Sequence, residues 1–316
     1  MRQIFCNNSF YVDTYTIGYK NQGESIVILI YVDDKCIFSC VVDSYLTENC
    51  DIIKKILNDN AIKTLNIICW THPHDDHSIG MKNLIQTYSD ENTEVWIPEN
   101  AITQDHKVSK ASQILFEELK KEIKAKSSKY RVCSASDKKN MLYHHSIGDV
   151  VKDQDLYKIE MFTLAPSSQS MIKEALIDSY AENEESIVFY LLVGDAYFIF
   201  TGDANNDSLN NIPKDEIPQH VHFVKIPHHG SYTSQAMLNL LPTSCDVSSS
   251  TVYRVGKSHL PENDILKKYL TKSEIVLCTG KSKDLDECDY GIAHCRTDII
   301  KQEFQYAVEG NACEFF

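Results

Sequence analysis

Three apolar runs of strand length in this chain each end in residues that can hold a metal ion. Residues 65–70 (Leu-Asn-Ile-Ile-Cys-Trp) lead into Thr71-His72-Pro73-His74-Asp75-Asp76-His77. Residues 196–200 (Ala-Tyr-Phe-Ile-Phe) lead into Thr201-Gly202-Asp203-Ala204, and residues 223–227 (Phe-Val-Lys-Ile-Pro) into His228-His229-Gly230-Ser231. Short apolar runs bounded by polar residues read as buried strands, and the loop at a strand's C-terminal end is where open sheets place chemistry. In the second and third runs a glycine beside the polar residue permits a tight turn. Elsewhere the pattern predicts a hairpin from residues 23–30 and 40–43. It also predicts a helix over residues 109–126, where Ile114, Leu115, Leu119 and Ile123 recur at helical spacing, and a second helix over 262–271 that starts at Pro261. Residues 275–279 read as the strand after it.

The stretch from His72 to His77 reads H-x-H-x-D-H, four donors within six positions. Neutral imidazoles suit zinc, manganese or iron, and a carboxylate beside them can hold a second ion. A polar loop that merely happens to contain three histidines is the bland alternative, and the strand before it argues against that. Alone, T-G-D or H-H-G would be weak; three such strand ends in this order are specific.

That order resembles the metallo-β-lactamase fold superfamily of metallohydrolases, and within it the hydrolase domain of ComEC-type competence proteins. The most specific match is residues 225–231, Lys-Ile-Pro-His-His-Gly-Ser, supported by Leu164-Ala165-Pro166, by residues 183–188 and by Ser258-His259-Leu260-Pro261. The resemblance implies an α/β fold, an αββα sandwich, formed by residues 1–316 as one domain with a helical insertion at about 101–150. It implies two divalent ions, Zn or Mn, held by His72, His74, Asp76, His77, His228 and a bridging Asp203. Asp76, His229 and His259 would serve catalysis. His228 and His229 stay interchangeable at this point, because an extended backbone would point their side chains opposite ways. Many superfamily members carry a further histidine before the bridging Asp; the stretch around Asn183 to Ser186 has none, which leaves one metal position short of an imidazole.

Two ions about 3.5–4 Å apart activate a shared hydroxide and clamp both oxygens of a transition state. The reading favoured here is a phosphodiesterase or nuclease. A carboxylic ester, thioester or lactam hydrolase and a partner-dependent binding module are the alternatives. The substrate would be a nucleic acid or nucleotide, and a protein partner that supplies specificity stays open. The membrane channel domain of the competence proteins has no counterpart, so this chain reads as a free-standing relative and DNA import does not carry over.

Composition narrows this picture. No run of about 18 apolar residues exists, and no apolar segment follows Met1-Arg2-Gln3, so the expectation is a cytoplasmic protein without a membrane span. The 11 cysteines include no C-x-x-C pair, and Cys40, Cys69 and Cys278 lie inside apolar runs, as small buried hydrophobes do. A net charge of −14 opposes long polyanions and favours small substrates. The basic residues Lys120, Lys121, Lys124, Lys126, Lys129 and Arg131, continued by Lys138 and Lys139, interleave with Glu117, Glu118 and Glu122 as on a solvated helix face. Of the other histidines, His144 and His145 precede a stretch, 146–149, that reads as a turn. His220 and His222 read as exposed strand-edge residues, and His294 with Cys295 as a surface strand.

Overall fold

The structure, a computed structural model, describes residues 3–19, 22–47, 50–98, 108–125, 127–135, 144–167, 183, 185–280 and 290–316. The strand Gly23–Val32 shows why this sequence stacks in layers. It is buried along its whole length, and its alternate side chains enter different cores: Ile26, Ile28, Ile30 and Val32 one, Val27, Leu29 and Tyr31 another. A strand with apolar side chains on both faces must lie between two packed layers.

Among the described residues those layers are two sheets with helices on their outer faces. The first sheet runs β16 (Glu303–Gly310), β15 (Tyr290–Asp298), β2 (Phe10–Tyr19), β3 (Gly23–Val32), β4 (Lys35–Val42), β5 (Ile67–Cys69), β6 (Glu94–Pro98) and β7 (Arg131–Ala135). The second runs β1 (Gln3–Phe5), β8 (His144–Lys152), β9 (Asp155–Ala165), β10 (Val188–Val193), β11 (Ala196–Phe200), β12 (Val221–Lys225), β13 (Cys245–Ser250), β14 (Ser273–Cys278) and β17 (Cys313–Glu314). Between the sheets lies a core that includes Phe38, Cys69, Trp96, Phe189, Phe198, Phe200 and Phe223. The outer face of the first sheet packs on helices Ile52–Asp59 (α1), Met81–Tyr88 (α3) and Lys110–Lys124 (α4). The outer face of the second packs on Asn206–Asn210 (α5), Met237–Leu240 (α6) and Asn263–Leu270 (α7). This is the expected αββα sandwich.

Topology explains where the site forms. β4 to β7 are parallel in the first sheet and β11 to β14 in the second. The C-terminal ends of β5, β11 and β12 therefore deliver their loops to one edge of the sandwich. A hydrogen bond from Ile187 N–H to Thr71 O (3.1 Å) ties the two sheets together there.

The helix over 109–126 forms as α4, capped by Ser109, whose hydroxyl accepts from Ser112 N–H. It belongs to the outer helical layer of the first sheet. Ser112 donates to Pro73 O (2.6 Å), so this helix buttresses the first metal-type loop. Residues 101–107 and 136–143 of the expected insertion, including Lys138, Lys139 and Asp105-His106, lie outside the described residues, as does the charged loop 281–289. The turn expected at 146–149 is instead part of β8, where a register shift between Ser146 and Gly148 bends a continuing strand. Cys40, Cys69 and Cys278 are buried, as expected. No described helix is long and apolar enough to cross a membrane.

One buried charge outside the site is matched by side chains on the next strand. Asp13 of β2 is fully buried, and Arg296 of β15 donates to both its oxygens (2.8 and 2.7 Å) while His294 sits 2.9 Å away. Burial would raise the Asp13 pKa, yet the Arg296 and His294 hydrogen bonds outweigh it and hold the carboxyl below its ordinary range. A folded value below the unfolded one means the stabilisation is complete above about pH 4 and fades as pH falls through the folded value. Arg296→Ala is expected to cost about 2–3 kcal/mol at pH 7, less than a fully buried pair because the arginine reaches solvent. Urea unfolding at neutral and acid pH checks this: the gap between variant and wild type should narrow below about pH 4.

Candidate metal centre

Three loops bring the donors together. β5 ends in Trp70, whose indole N–H donates to Ser78 Oγ (3.0 Å), pinning the start and end of the H-x-H-x-D-H loop to each other. The short helix Asp75–Ser78 (α2) then turns Asp76 and His77 inward, both buried, while Asp75 stays exposed. From the second sheet, the turn after β11 presents Asp203, which is 1% exposed. Gly202 has φ +49°, and a Cβ there would lie 2.8 Å from Thr71 Cβ, so only glycine lets the two loops meet.

After β12, Pro227-His228-His229-Gly230 makes a tight turn in which both histidines are left-handed, φ 47° and 50°. The backbone is thus not extended through the pair, yet the side chains still diverge, with ring centroids 6.3 Å apart. Such conformations are costly for non-glycine residues and concentrate at functional sites. His229 turns into the cluster: its Nε2 lies 3.1 Å from Asp76 Oδ2 and 3.3 Å from Asp203 Oδ2. His228 contacts Thr233 Oγ1 through Nδ1 (2.9 Å) and Asn183 Nδ2 through Nε2 (3.4 Å). The expectation put His228 at the metal and His229 at proton transfer; the geometry favours the exchange, because the left-handed turn aims the second ring at the carboxylates.

The donors form two overlapping sets. His72, His74 and Asp203 offer one group of atoms within 4.8 Å of one another, and Glu24, His77, Asp203 and His229 another. Asp203 is common to both. Asp76 flanks the second set, 3.4 Å from His77 Nε2. His259 is elsewhere: it is exposed and lines a surface pocket with Tyr232, Arg254 and Lys267.

Hydrogen bonds behind the ring decide which nitrogens face inward. Asp43, itself at φ 56°, accepts from Thr71 N–H (2.7 Å) and from the Thr71 hydroxyl (2.6 Å), and sits 2.7 Å from His77 Nδ1. Since the Thr71 hydroxyl donates to Asp43, its oxygen accepts from His72 Nδ1–H at 3.0 Å. Both imidazoles therefore carry their proton on Nδ1 and turn Nε2 inward. Those two Nε2 atoms and Asp203 Oδ1 are buried with no hydrogen-bond partner among the described residues. Buried polar atoms are nearly always satisfied, and an outer carboxylate on the far nitrogen is the usual support of a metal-binding histidine. The donor set fits a divalent ion such as zinc or manganese.

Charge points the same way. Among the described residues the centre gathers four carboxylates, Glu24, Asp43, Asp76 and Asp203, and one buried ammonium, Lys225, whose Nζ lies 2.7 Å from Glu24 Oε1 and 3.6 Å from Asp203 Oδ1. Burial opposes the lysine's charge, but Glu24 and Asp203 prevail and raise its pKa. Without metal, imidazoles must supply the missing positive charge. Burial disfavours it, yet Asp203 and Asp76 push His229 up to about 9 and raise His77 as well. His72, buried and beside His77, is held low. For Asp76 and Asp203 burial works upward, while the neighbouring imidazoles hold both carboxyls below their ordinary range.

Glu24, Thr71 and Thr251 went unnoticed as site residues in the sequence, and Asp43 and Lys225 appeared there only as parts of strand motifs. A signal was available: Glu24 and Lys225 are charges at the edge of or inside apolar runs, and such residues are rarely buried unless paired. Another correction concerns His222; its neighbour His220 is partly exposed just before β12, as expected. His222 is 2% exposed, accepting from Tyr197 N–H at Nδ1 and contacting Gln302 Oε1 at Nε2 (2.8 Å). With Asp246 this pair forms a third group of potential donors, but both nitrogens of His222 are already engaged. His294 is half-buried on Asp13 and Cys295 lies in the core between the sheets, so the two point to opposite faces of β15.

No family model and no curated protein matches the sequence. Solved structures of similar fold include Rm3 metallo-β-lactamase, at 13% identity and a TM-score of 0.35 over 62% of this chain and 62% of that one. Another is Zn(2+)-bound PqqB from Methylobacterium extorquens, at 9% identity and a TM-score of 0.35 over 65% of this chain and 59% of that one. The chain thus covers less than two thirds of the length of either.

Proposed function

We propose that this protein is a metal-dependent hydrolase of phosphodiesters, with His72, His74, Asp76, His77, Asp203 and His229 holding up to two divalent ions. The observation that carries the reading is the sharing of Asp203 between two donor sets, with the inward-facing Nε2 atoms of His72 and His77 lacking a hydrogen-bond partner among the described residues. Four carboxylates against one ammonium leave the centre three units negative; one divalent ion leaves it at −1 and two bring it to +1, so neutrality falls between them. A divalent ion bound there supplies Lewis acidity and lowers the pKa of water. The chain's own residues orient and balance: Asp203 holds the two loops to a common point, Asp43 and Thr71 fix the rings, and Lys225 offsets part of the negative charge. His228, at the rim against Thr233 and Asn183, is the candidate to pass a proton to a leaving group.

Two features support a phosphodiester over an acyl substrate. One is the resemblance of residues 225–231 to the ComEC-type hydrolases. The other is Asn183, in the stretch where acyl hydrolases of this superfamily usually carry a histidine.

The test is hydrolysis by the purified chain, with zinc or manganese, of labelled single- and double-stranded DNA, RNA, cyclic nucleotides and a generic ester. Asp76→Ala is the control. Cleavage of a phosphodiester that the variant cannot perform is the expected result. Cleavage of the ester alone would move the protein to the acyl branch, and silence from metal-loaded wild type would point to a partner-dependent module.

A further inference from the structure

Glu24 reaches the metal-type cluster with one oxygen in an ion pair and the other in a hydrogen bond. Oε1 is 2.7 Å from Lys225 Nζ, and Oε2 accepts a short hydrogen bond from the Thr251 hydroxyl. Thr251 has one hydroxyl proton and uses it on Glu24. Its oxygen, 2.7 Å from His229 Nδ1, must therefore accept from that nitrogen. The consequence is that Nδ1 of His229 is always a donor, so only Nε2, which lies against Asp76 and Asp203, is left to offer a lone pair to an ion. Facing two carboxylates, that nitrogen needs positive charge beside it, a proton in the stripped centre or a metal ion in the loaded one. The same logic runs from Asp43 through Thr71 to His72 on the opposite side, so carboxylate–hydroxyl–imidazole chains reach the cluster from both sheets.

The ring of His229 is fixed from a second direction by the same segment of chain. Tyr253, two residues after Thr251, stacks on it with centroids 5.1 Å apart and planes at 23°. Tyr253 is itself clasped by paired backbone hydrogen bonds with Leu260 (3.1 and 2.8 Å). Lys225 completes the arrangement. Its ammonium also donates to Gly202 O (3.1 Å), the residue before Asp203, so one buried cation anchors Glu24 and the Asp203 turn together.

We propose that Thr251 and Glu24 are positioning residues for the metal centre. Their hydroxyl–carboxylate chain fixes a proton of His229 on Nδ1 so that Nε2 faces the ion, while Lys225, 2.7 Å from Oε1, holds Glu24 out of direct ligation. This rests on the reading of the cluster as a metal site. It assigns Glu24, which lies within ligand distance of His77, Asp203 and His229, to support and not to coordination.

The experiment is a zinc titration of the full-length chain against a chelating dye, comparing wild type with Thr251→Val and Thr251→Ser, all well below their unfolding temperatures. Thr251→Val should weaken one class of zinc site by about 10–100-fold, the usual effect of removing an outer partner. Thr251→Ser, which restores the hydroxyl, should bind like wild type. A merely structural threonine would lower the unfolding temperature of the valine variant without moving its zinc affinity, and that outcome overturns the proposal. Nitrogen-15 histidine spectra of zinc-loaded wild type give an answer even if the valine variant does not fold. Coordination of His229 through Nε2 with a proton on Nδ1 is expected, and coordination through Nδ1 overturns the proposal. A wild-type chain that takes up no zinc overturns the metal reading and this inference with it, whereas normal wild-type binding with an unaffected Thr251→Val overturns this inference alone.

Discussion

Asp203→Ala should remove hydrolytic activity by at least about 10³-fold, beyond the 10–100-fold typical of losing an outer partner. The reason is that the Asp203 carboxylate belongs to both donor sets, with Oδ2 4.0 Å from His72 Nε2 and Oδ1 3.4 Å from His77 Nε2. The turn that carries it stays in place in the variant, since the bond from residue 203 N–H to Ser186 Oγ (3.1 Å) belongs to the backbone, so the loss reads the carboxylate alone. Asp203 is also one of the anions around Lys225, which keeps Glu24 at 2.7 Å. Metal content should fall with activity: an Asp203→Ala chain assayed by metal analysis after dialysis should retain less than one ion where wild type retains more. Asp203→Asn keeps the shape and loses the charge. If it retained both metal and rate, a shared anionic donor would not be what the centre requires. Asp75→Ala is the matched control, since Asp75 lies in the same loop but is exposed and belongs to neither donor set.

The parts of this site that the sequence makes legible are those carried by short, local patterns. H-x-H-x-D-H after a strand is a local pattern, and so are T-G-D and H-H-G, because strand, turn and donor are neighbours in the chain. The layered fold follows from the same runs, since strands such as Gly23–Val32 are apolar at nearly every position and demand cover on both faces. What stays hidden is whatever depends on side chains meeting across the sheets. Glu24 and Thr251 are 227 positions apart and meet only because β3 and the end of β13 face each other. The choice between His228 and His229 depends on two left-handed residues in succession, which no periodicity signals. His222 reads as exposed because a polar residue near a strand end looks so until a distant turn, here the one bearing Gln302, closes over it.

Removing metal should cost stability as well as activity, and the size of the effect tests whether the donors form one centre. A ligand that binds only the folded chain stabilises it by about 2.7 kcal/mol at 100 times its Kd and about 4.1 kcal/mol at 1,000 times. For a chain of 316 residues each kcal/mol moves the unfolding temperature by roughly 1.5 °C, so zinc at 1,000 times its Kd should raise it by about 6 °C over the chelator-treated chain. The gain is expected because the stripped centre, beyond what Lys225 offsets, holds its carboxylates together by protonating His77 and His229 against the pull of burial. A cation at the inward-facing nitrogens satisfies acids and imidazoles at once, and Asp43 and Thr251 stay on the far sides of the His77 and His229 rings. Calcium, which prefers oxygen ligands alone, should give little of this shift, and manganese an intermediate one. In Asp203→Ala the zinc-dependent rise should shrink to a few degrees, because neither donor set keeps its common member. In Arg296→Ala it should persist in full, because the Asp13 pair lies on the outer face of the first sheet and touches none of these residues. A zinc shift of equal size in wild type and Asp203→Ala would mean the ion binds elsewhere, with the group formed by His220, His222 and Asp246 the first place to look.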